Sequence, residues 1–152
     1  MDISNSIKKY CQKNNIMQKE VAQKLQVSKT SISCWFNGYD VIPIYRLVDF
    51  ANIYKISLDY LLGLKKENNY IPITIDKKAI GNNLKKLRKS RNLTIKYISE
   101  KINMSIGAYC DYENGKNLIK TTYLISLIDI YKSFSIDDLF KENSWDKTQL
   151  FL

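Results

Sequence analysis

The chain has 152 residues and is 45% hydrophobic, enough to bury one ordinary core or two small ones. Its 24 Lys and Arg against 15 Asp and Glu give a formal charge of +9, which favours a polyanionic partner, nucleic acid before an acidic membrane. It contains no histidine, which removes His-based general base catalysis, Ser-His or Cys-His nucleophile pairs and most catalytic zinc sites, and it carries no glycine-rich phosphate loop.

Cys11, Cys34 and Cys110 are odd in number, far apart and never spaced Cys-x-x-Cys, so neither a disulfide scaffold nor a zinc site is expected, and a reducing cytoplasm suits them best. The N-terminus has no apolar signal core and no run of about 18 apolar residues occurs, so no export signal or membrane span is expected. No metal, no cofactor and no catalytic residue is expected either.

In chain order, residues 4–14 are predicted to form a first helix with Ile3, Ile7 and Tyr10 on one side. Residues 18–25 follow as a second, with Val21, Ala22 and Leu25 inward. The next stretch, VSKTSISCWFNG at 27–38, is the most informative in the chain. Ser28 is a natural N-cap, and Asn37-Gly38 a natural left-handed stop. Between them, at 3.6 residues per turn, Ile32 and Trp35 share one face, while Lys29, Thr30, Ser33, Cys34 and Asn37 fan out opposite. A helix that shows solvent only small donors, acceptors and one cation suits the DNA major groove, where bulky or acidic groups would clash with or repel the duplex. The plainer reading of the same residues is a solvated surface helix.

Pro43 is predicted in the first turn of a fourth helix carrying Leu47, Ala51 and Tyr54, and Ser57 caps a fifth with Asp59 in its first turn. Residues 63–79 mix charge and Asn with an apolar alternation at Ile71, Ile73 and Ile75 and read as a linker. Fully extended, the linker would reach about 55 Å. Its 70–75 segment is expected to pack on a neighbouring domain, since an isolated strand is marginal.

An offset of 77 residues then aligns Ile3 with Ile80, Lys8-Lys9 with Lys85-Lys86, Ser28 with Ser105, Asn37-Gly38 with Asn114-Gly115 and Ile53-Tyr54-Lys55 with Ile130-Tyr131-Lys132. The unit is duplicated. In the second copy Asp76, Thr94, Ser105 and Ser135 are the expected caps, the first helix is strongly basic, and Asp137 and Asp138 serve the dipole of the last helix, not catalysis. The expected organisation is a first domain at 1–62, a linker at 63–79, a second domain at 80–140 and a tail at 141–152 that folds back on the second copy or binds a partner chain.

The five-helix pattern, with its second and third helices as a helix-turn-helix and with the signature Tyr112-Glu113-Asn114-Gly115-Lys116, resembles the XRE family of phage repressors and Cro-like bacterial regulators over nearly the whole chain. The resemblance implies an all-α fold of two lambda-repressor-like domains in tandem and a sequence-specific regulator that binds double-stranded DNA, commonly as a homodimer. It places base reading on Lys29, Thr30, Ser33 and Cys34, and backbone contact on Gln18 and Asn37. Lys29 can donate to guanine, Thr30 and Ser33 can bond either way, and Cys34 is a small spacer with no base to activate it.

The copies differ where this matters. Ile106, Gly107, Cys110 and Asp111 replace the four readers, and Ile95 stands where Gln18 does, so base reading by the second copy is expected to be weak. Its supporting contacts would come from Lys85, Lys86, Lys89, Lys96, Asn114 and Lys116. Arg88 and Glu113 fall on the family's pair joining helix 1 to helix 3, where the first copy has Cys11 and Phe36. A charged contact is therefore expected in one copy and an apolar one in the other. The alternative function is a protein-interaction module, an antitoxin or antirepressor. The sequence names no small-molecule effector.

Overall fold

Side-chain caps set most of the helix starts in the computed structural model, which describes residues 2–142. In the first copy, α1 (Ile3–Lys13) begins where Asp2 accepts from the Asn5 N–H, one residue earlier than the sequence suggests. α2 (Gln18–Leu25) follows Met17, which provides no side-chain cap, and α3 (Lys29–Phe36) begins at Ser28. α4 (Ile44–Ile53) starts one residue after Pro43, whose φ of −60° and ψ of 147° keep it just outside the helix. α5 (Leu58–Leu61) is capped by Ser57.

The second copy repeats the order: α6 (Lys77–Ser90), α7 (Ile95–Lys101), α8 (Ile106–Glu113), α9 (Thr121–Tyr131) and α10 (Ile136–Phe140). Asp76, Thr94, Ser105 and Ser135 cap α6, α7, α8 and α10. Among the described residues there is no strand, and the fold is all-α. None of their helices is long and apolar enough to cross a membrane. Of the tail expected at 141–152, residues 143–152 lie outside the described residues, and the expected folding back of the tail falls there.

The described residues divide into two compact units, the first running to Ile73 together with Lys120–Ile125, the second comprising Thr74–Ile119 and the residues from Ser126 onward. In the first, Ile7, Val21, Ile32, Leu47, Phe50, Ile56 and Leu58 are almost wholly buried. Tyr10 meets Phe50 and Tyr54 edge to face beside them, and Phe50 and Tyr54 lie tilted with centroids 4.7 Å apart. In the second, Leu84, Ile98, Tyr109, Leu127 and Ile136 fill the equivalent places.

The repeat extends to the backbone. Asn15, Gln26 and Lys55 take left-handed φ values of 54°, 56° and 51°, and their counterparts Asn92, Asn103 and Lys132 take 55°, 55° and 54°. Each copy therefore turns its chain at the same three non-glycine positions, at a small conformational cost that the packing on either side holds. Gly81 marks one difference: a Cβ there would collide with the Tyr112 and Glu113 carbonyls, so α6 lies against the end of α8 more closely than a side chain permits.

Candidate nucleic-acid interface

The helix-turn-helix of the first unit is built by α2, a left-handed turn at Gln26, and α3. The Ser28 hydroxyl accepts from the Ser31 N–H at 3.1 Å and starts α3. The helix ends in a paired stop: the Gly38 N–H reaches the Trp35 carbonyl at 3.4 Å and the Tyr39 N–H the Cys34 carbonyl at 2.9 Å, with Gly38 at a φ of +73°. That is a Schellman closure, and glycine is the residue that takes it without strain.

Ile32, Trp35 and Phe36 bury one side of α3. Lys29, Thr30 and Asn37 are exposed, and Ser33 and Cys34 are half-buried between the two faces. The Asn37 side-chain amide donates to the Ser33 hydroxyl at 3.2 Å, so these two groups hold each other in place on the polar side. Gln18, the first residue of α2, is exposed beside Met17, itself 71% exposed. Asp40 accepts from the Val41 N–H at 2.8 Å, which commits one of its carboxylate oxygens to its own loop.

A further group positions α3 without a local signal in the sequence. Arg46, on α4, donates from Nη1 to the Leu25 carbonyl at 2.9 Å and lies 3.6 Å from Asp49. Leu25 ends α2, so the guanidinium satisfies one of its orphan carbonyls and pins the turn that leads into α3. The only signal in the sequence is a cation 21 residues downstream of that carbonyl, a separation that no local rule reads. Tyr39 and Tyr45 are also 83% and 50% exposed, the latter with Arg46 over its ring at 5.2 Å.

The second unit keeps the frame and changes the face. Its α8 starts on the Ser105 hydroxyl and ends with the Gly115 N–H on Tyr112 and the Lys116 N–H on Asp111 at 3.2 and 2.9 Å, the same stop as in α3. Outward, however, it shows Ile106, 50% exposed, then Gly107, with Cys110 and Asp111 half-buried. Lys116 approaches the Asp111 carboxylate at 3.8 Å. Lys85, Lys86 and Lys89 on α6 are exposed, as are Lys96, Asn114 and Lys116, whereas Ile95 is half-buried where the first unit exposes Gln18.

Beneath α8, Arg88 holds Glu113 through two hydrogen bonds, Nε to Oε1 at 2.7 Å and Nη2 to Oε2 at 3.1 Å, and its Nη1 donates to the Leu93 carbonyl at 2.9 Å. The hydrogen bond to Glu113 raises the Arg88 pKa further above its already high ordinary value. In the first unit Cys11 and Phe36 are both buried at the corresponding places. Burial pushes the Cys11 thiol up to about 11, so it is a neutral packing group at physiological pH and not a nucleophile.

Comparison with known proteins agrees with this architecture. The helix-turn-helix family model matches twice, over residues 7–61 and 84–139. The HTH-type transcriptional regulator ImmR of Bacillus subtilis (strain 168) is 33% identical over 63 residues, covering 41% of this chain and 50% of the relative. The match thus spans half the length of that relative. No solved structure matches the chain. With two tandem matches that together cover most of its length, the chain belongs to the XRE-type helix-turn-helix family.

Proposed function

We propose that this protein is a sequence-specific transcriptional regulator that binds double-stranded DNA, with α3 of the first unit in the major groove. The observation that carries the reading is the exposed polar side of α3, where Lys29 and Thr30 stand free at the helix start and Ser33 and Asn37 brace each other. Lys29 and Thr30 supply a cation, a hydroxyl and a methyl to base edges, Ser33 and Cys34 line the approach, and Gln18 and Asn37 hold the sugar-phosphate chain. The regulator similar to this chain, ImmR, supports the same class. The second unit adds nonspecific grip through Lys85, Lys86 and Lys89, with Lys96, Asn114 and Lys116 beside α8, or supports a homodimer on a two-fold site.

Selection of bound duplexes from a random pool tests this directly. The full chain should recover a defined motif, and Lys29→Ala or Thr30→Ala should lose roughly 5- to 150-fold of the preference for it, the range expected for one specific base contact. Gly107→Ala and Asp111→Asn should leave the motif unchanged. Recovery of no motif would reject the proposal, and loss of preference only in the α8 variants would assign base reading to the second unit.

A second reading, a protein-interaction module, is favoured by Ile106 and Tyr97, which are 50% and 42% exposed on α8 and α7. It predicts that Ile106→Lys abolishes capture of a protein partner while DNA binding persists.

A further inference from the structure

The loop that leaves α3 is bonded at every residue from Tyr39 to Ile42. The Tyr39 and Asp40 N–H groups donate to the Cys34 carbonyl at 2.9 and 3.3 Å, and the Val41 N–H donates to Asp40 Oδ1 at 2.8 Å. These ties are local. The Ile42 carbonyl instead accepts from the Thr121 hydroxyl at 2.7 Å, from a residue 79 positions further along the chain. Thr121 opens α9 of the second copy, yet Lys120–Ile125 packs within the first unit.

Thr121 and Ile42 are each only 3% exposed. A hydroxyl buried that deeply costs free energy unless it is bonded, and valine would fill the same space without that cost, so the bond accounts for threonine here. At the repeat offset of 77, Ile44 stands where Thr121 does and has no hydroxyl to give. The loop after α8 keeps the first tie, with the Lys116 and Asn117 N–H groups on the Asp111 carbonyl at 2.9 and 3.3 Å. The brace therefore runs one way, to the loop behind the helix with the polar face. Between its fixed ends that loop presents Tyr39, 83% exposed, whose phenolic hydroxyl can donate to a phosphate oxygen.

We infer that Thr121 is a positioning residue for DNA binding by the first unit. Its hydroxyl fixes the end of the loop, so that Tyr39 meets the sugar-phosphate chain with little ordering cost. The inference rests on the reading of α3 as the major-groove helix. It gives the second copy a part in DNA binding that needs no DNA contact of its own.

The test uses the full-length chain with Thr121→Val, which keeps the shape and loses the hydroxyl, and Thr121→Ser, which keeps the hydroxyl. Thr121→Ala is the second probe if valine is not accommodated, and amide exchange of α1 to α4 shows whether the first unit is folded in each. Without DNA, backbone order parameters at residues 40–42 should be about 0.85 in the parent and Thr121→Ser, and fall toward about 0.6 in Thr121→Val. On the selected duplex Thr121→Val should bind roughly three- to tenfold more weakly, the range for one hydrogen bond, and Thr121→Ser within about twofold of the parent. The log K against log salt line of Thr121→Val should run parallel to the parent's, since a phenol neutralises no phosphate. Tyr39→Phe should weaken the parent by a similar factor and Thr121→Val hardly further. Equal order parameters in parent and Thr121→Val overturn the brace. Undiminished affinity of Thr121→Val, or effects that add fully to those of Tyr39→Phe, overturn its part in DNA binding. A Thr121→Ser chain that loses as much as Thr121→Val assigns the effect to the methyl and overturns the hydroxyl. A parent that selects no motif rejects the DNA reading itself, and the order parameters still decide the brace.

Discussion

Arg88 and Glu113 meet in a bidentate contact with side chains only 9% and 3% exposed, so neither charge can be satisfied by water if the other is removed. Arg88→Ala or Glu113→Ala should each cost about 3–5 kcal/mol, the usual penalty for orphaning one member of a buried pair. The double change Arg88→Cys with Glu113→Phe, which installs the first copy's residues, should recover most of that loss. Hydrogen exchange of the α6 and α8 amides reads the second unit separately from the first. A second effect concerns three buried tyrosines, Tyr54 in the first unit and Tyr109 and Tyr131 in the second. Burial holds the Tyr131 and Tyr54 hydroxyls up to about 12 and that of Tyr109 higher still, against an ordinary 10.0. Each pKa is raised in the folded state, so the unfolded chain loses these protons first. Stability should therefore be fully present below pH 10 and decline as pH rises from about 10 through 12, followed by circular dichroism alongside tyrosinate absorbance.

At the scale of the element, α3 and α8 show how one frame carries two different faces. Both start on a serine hydroxyl, both end in a Schellman closure at glycine, and both bury an aromatic or aliphatic stripe. Those features set where the helix lies and are kept; the outward residues set what it can bind and are not. Placement of α3 also depends on its neighbours, because Arg46 ties α4 to the last carbonyl of α2. Tyr123 stands at the equivalent place in the second copy, so the guanidinium tie is particular to the first. Arg46→Ala should destabilise the first unit by about 1–2 kcal/mol, less than the full value of a charged hydrogen bond because the side chain is 29% exposed. Arg46→Lys should restore little, since the rigid planar guanidinium that holds Nη1 against both the Leu25 carbonyl and Asp49 is absent from lysine. Urea titration followed by Trp35 fluorescence measures both.

For the whole molecule the relevant quantity is its charge of +9, spread over both copies. If DNA is the ligand, affinity must fall steeply with salt, each phosphate neutralised adding a slope of about −0.9 in log K against log salt. Replacing Lys85, Lys86 and Lys89 one at a time should flatten that slope by about one unit for each phosphate left unneutralised, with the selected motif unchanged, whereas Lys29→Ala should weaken the motif itself. A salt-independent affinity would exclude phosphate binding. Isotherms across a salt series separate these outcomes.

Caps, stops, periodicity and the duplication are local patterns, and the sequence by itself determined them: Ser28, Ser57, Asp76, Thr94, Ser105 and Ser135 cap where their spacing from the apolar stripes requires. Even the buried pair of Arg88 and Glu113 was legible, because the other copy changes both positions together. Pro43 was off by one residue, since a fixed φ suits the cap as well as the first turn. Only the tertiary structure decided that Arg46 holds the Leu25 carbonyl, Thr121 that of Ile42, Asn52 the backbone of Ile73 and Asn68 that of Lys55 and Ser57. These partners are backbone groups 11 to 79 residues away, and a backbone carbonyl or N–H leaves no mark in the sequence that binds it.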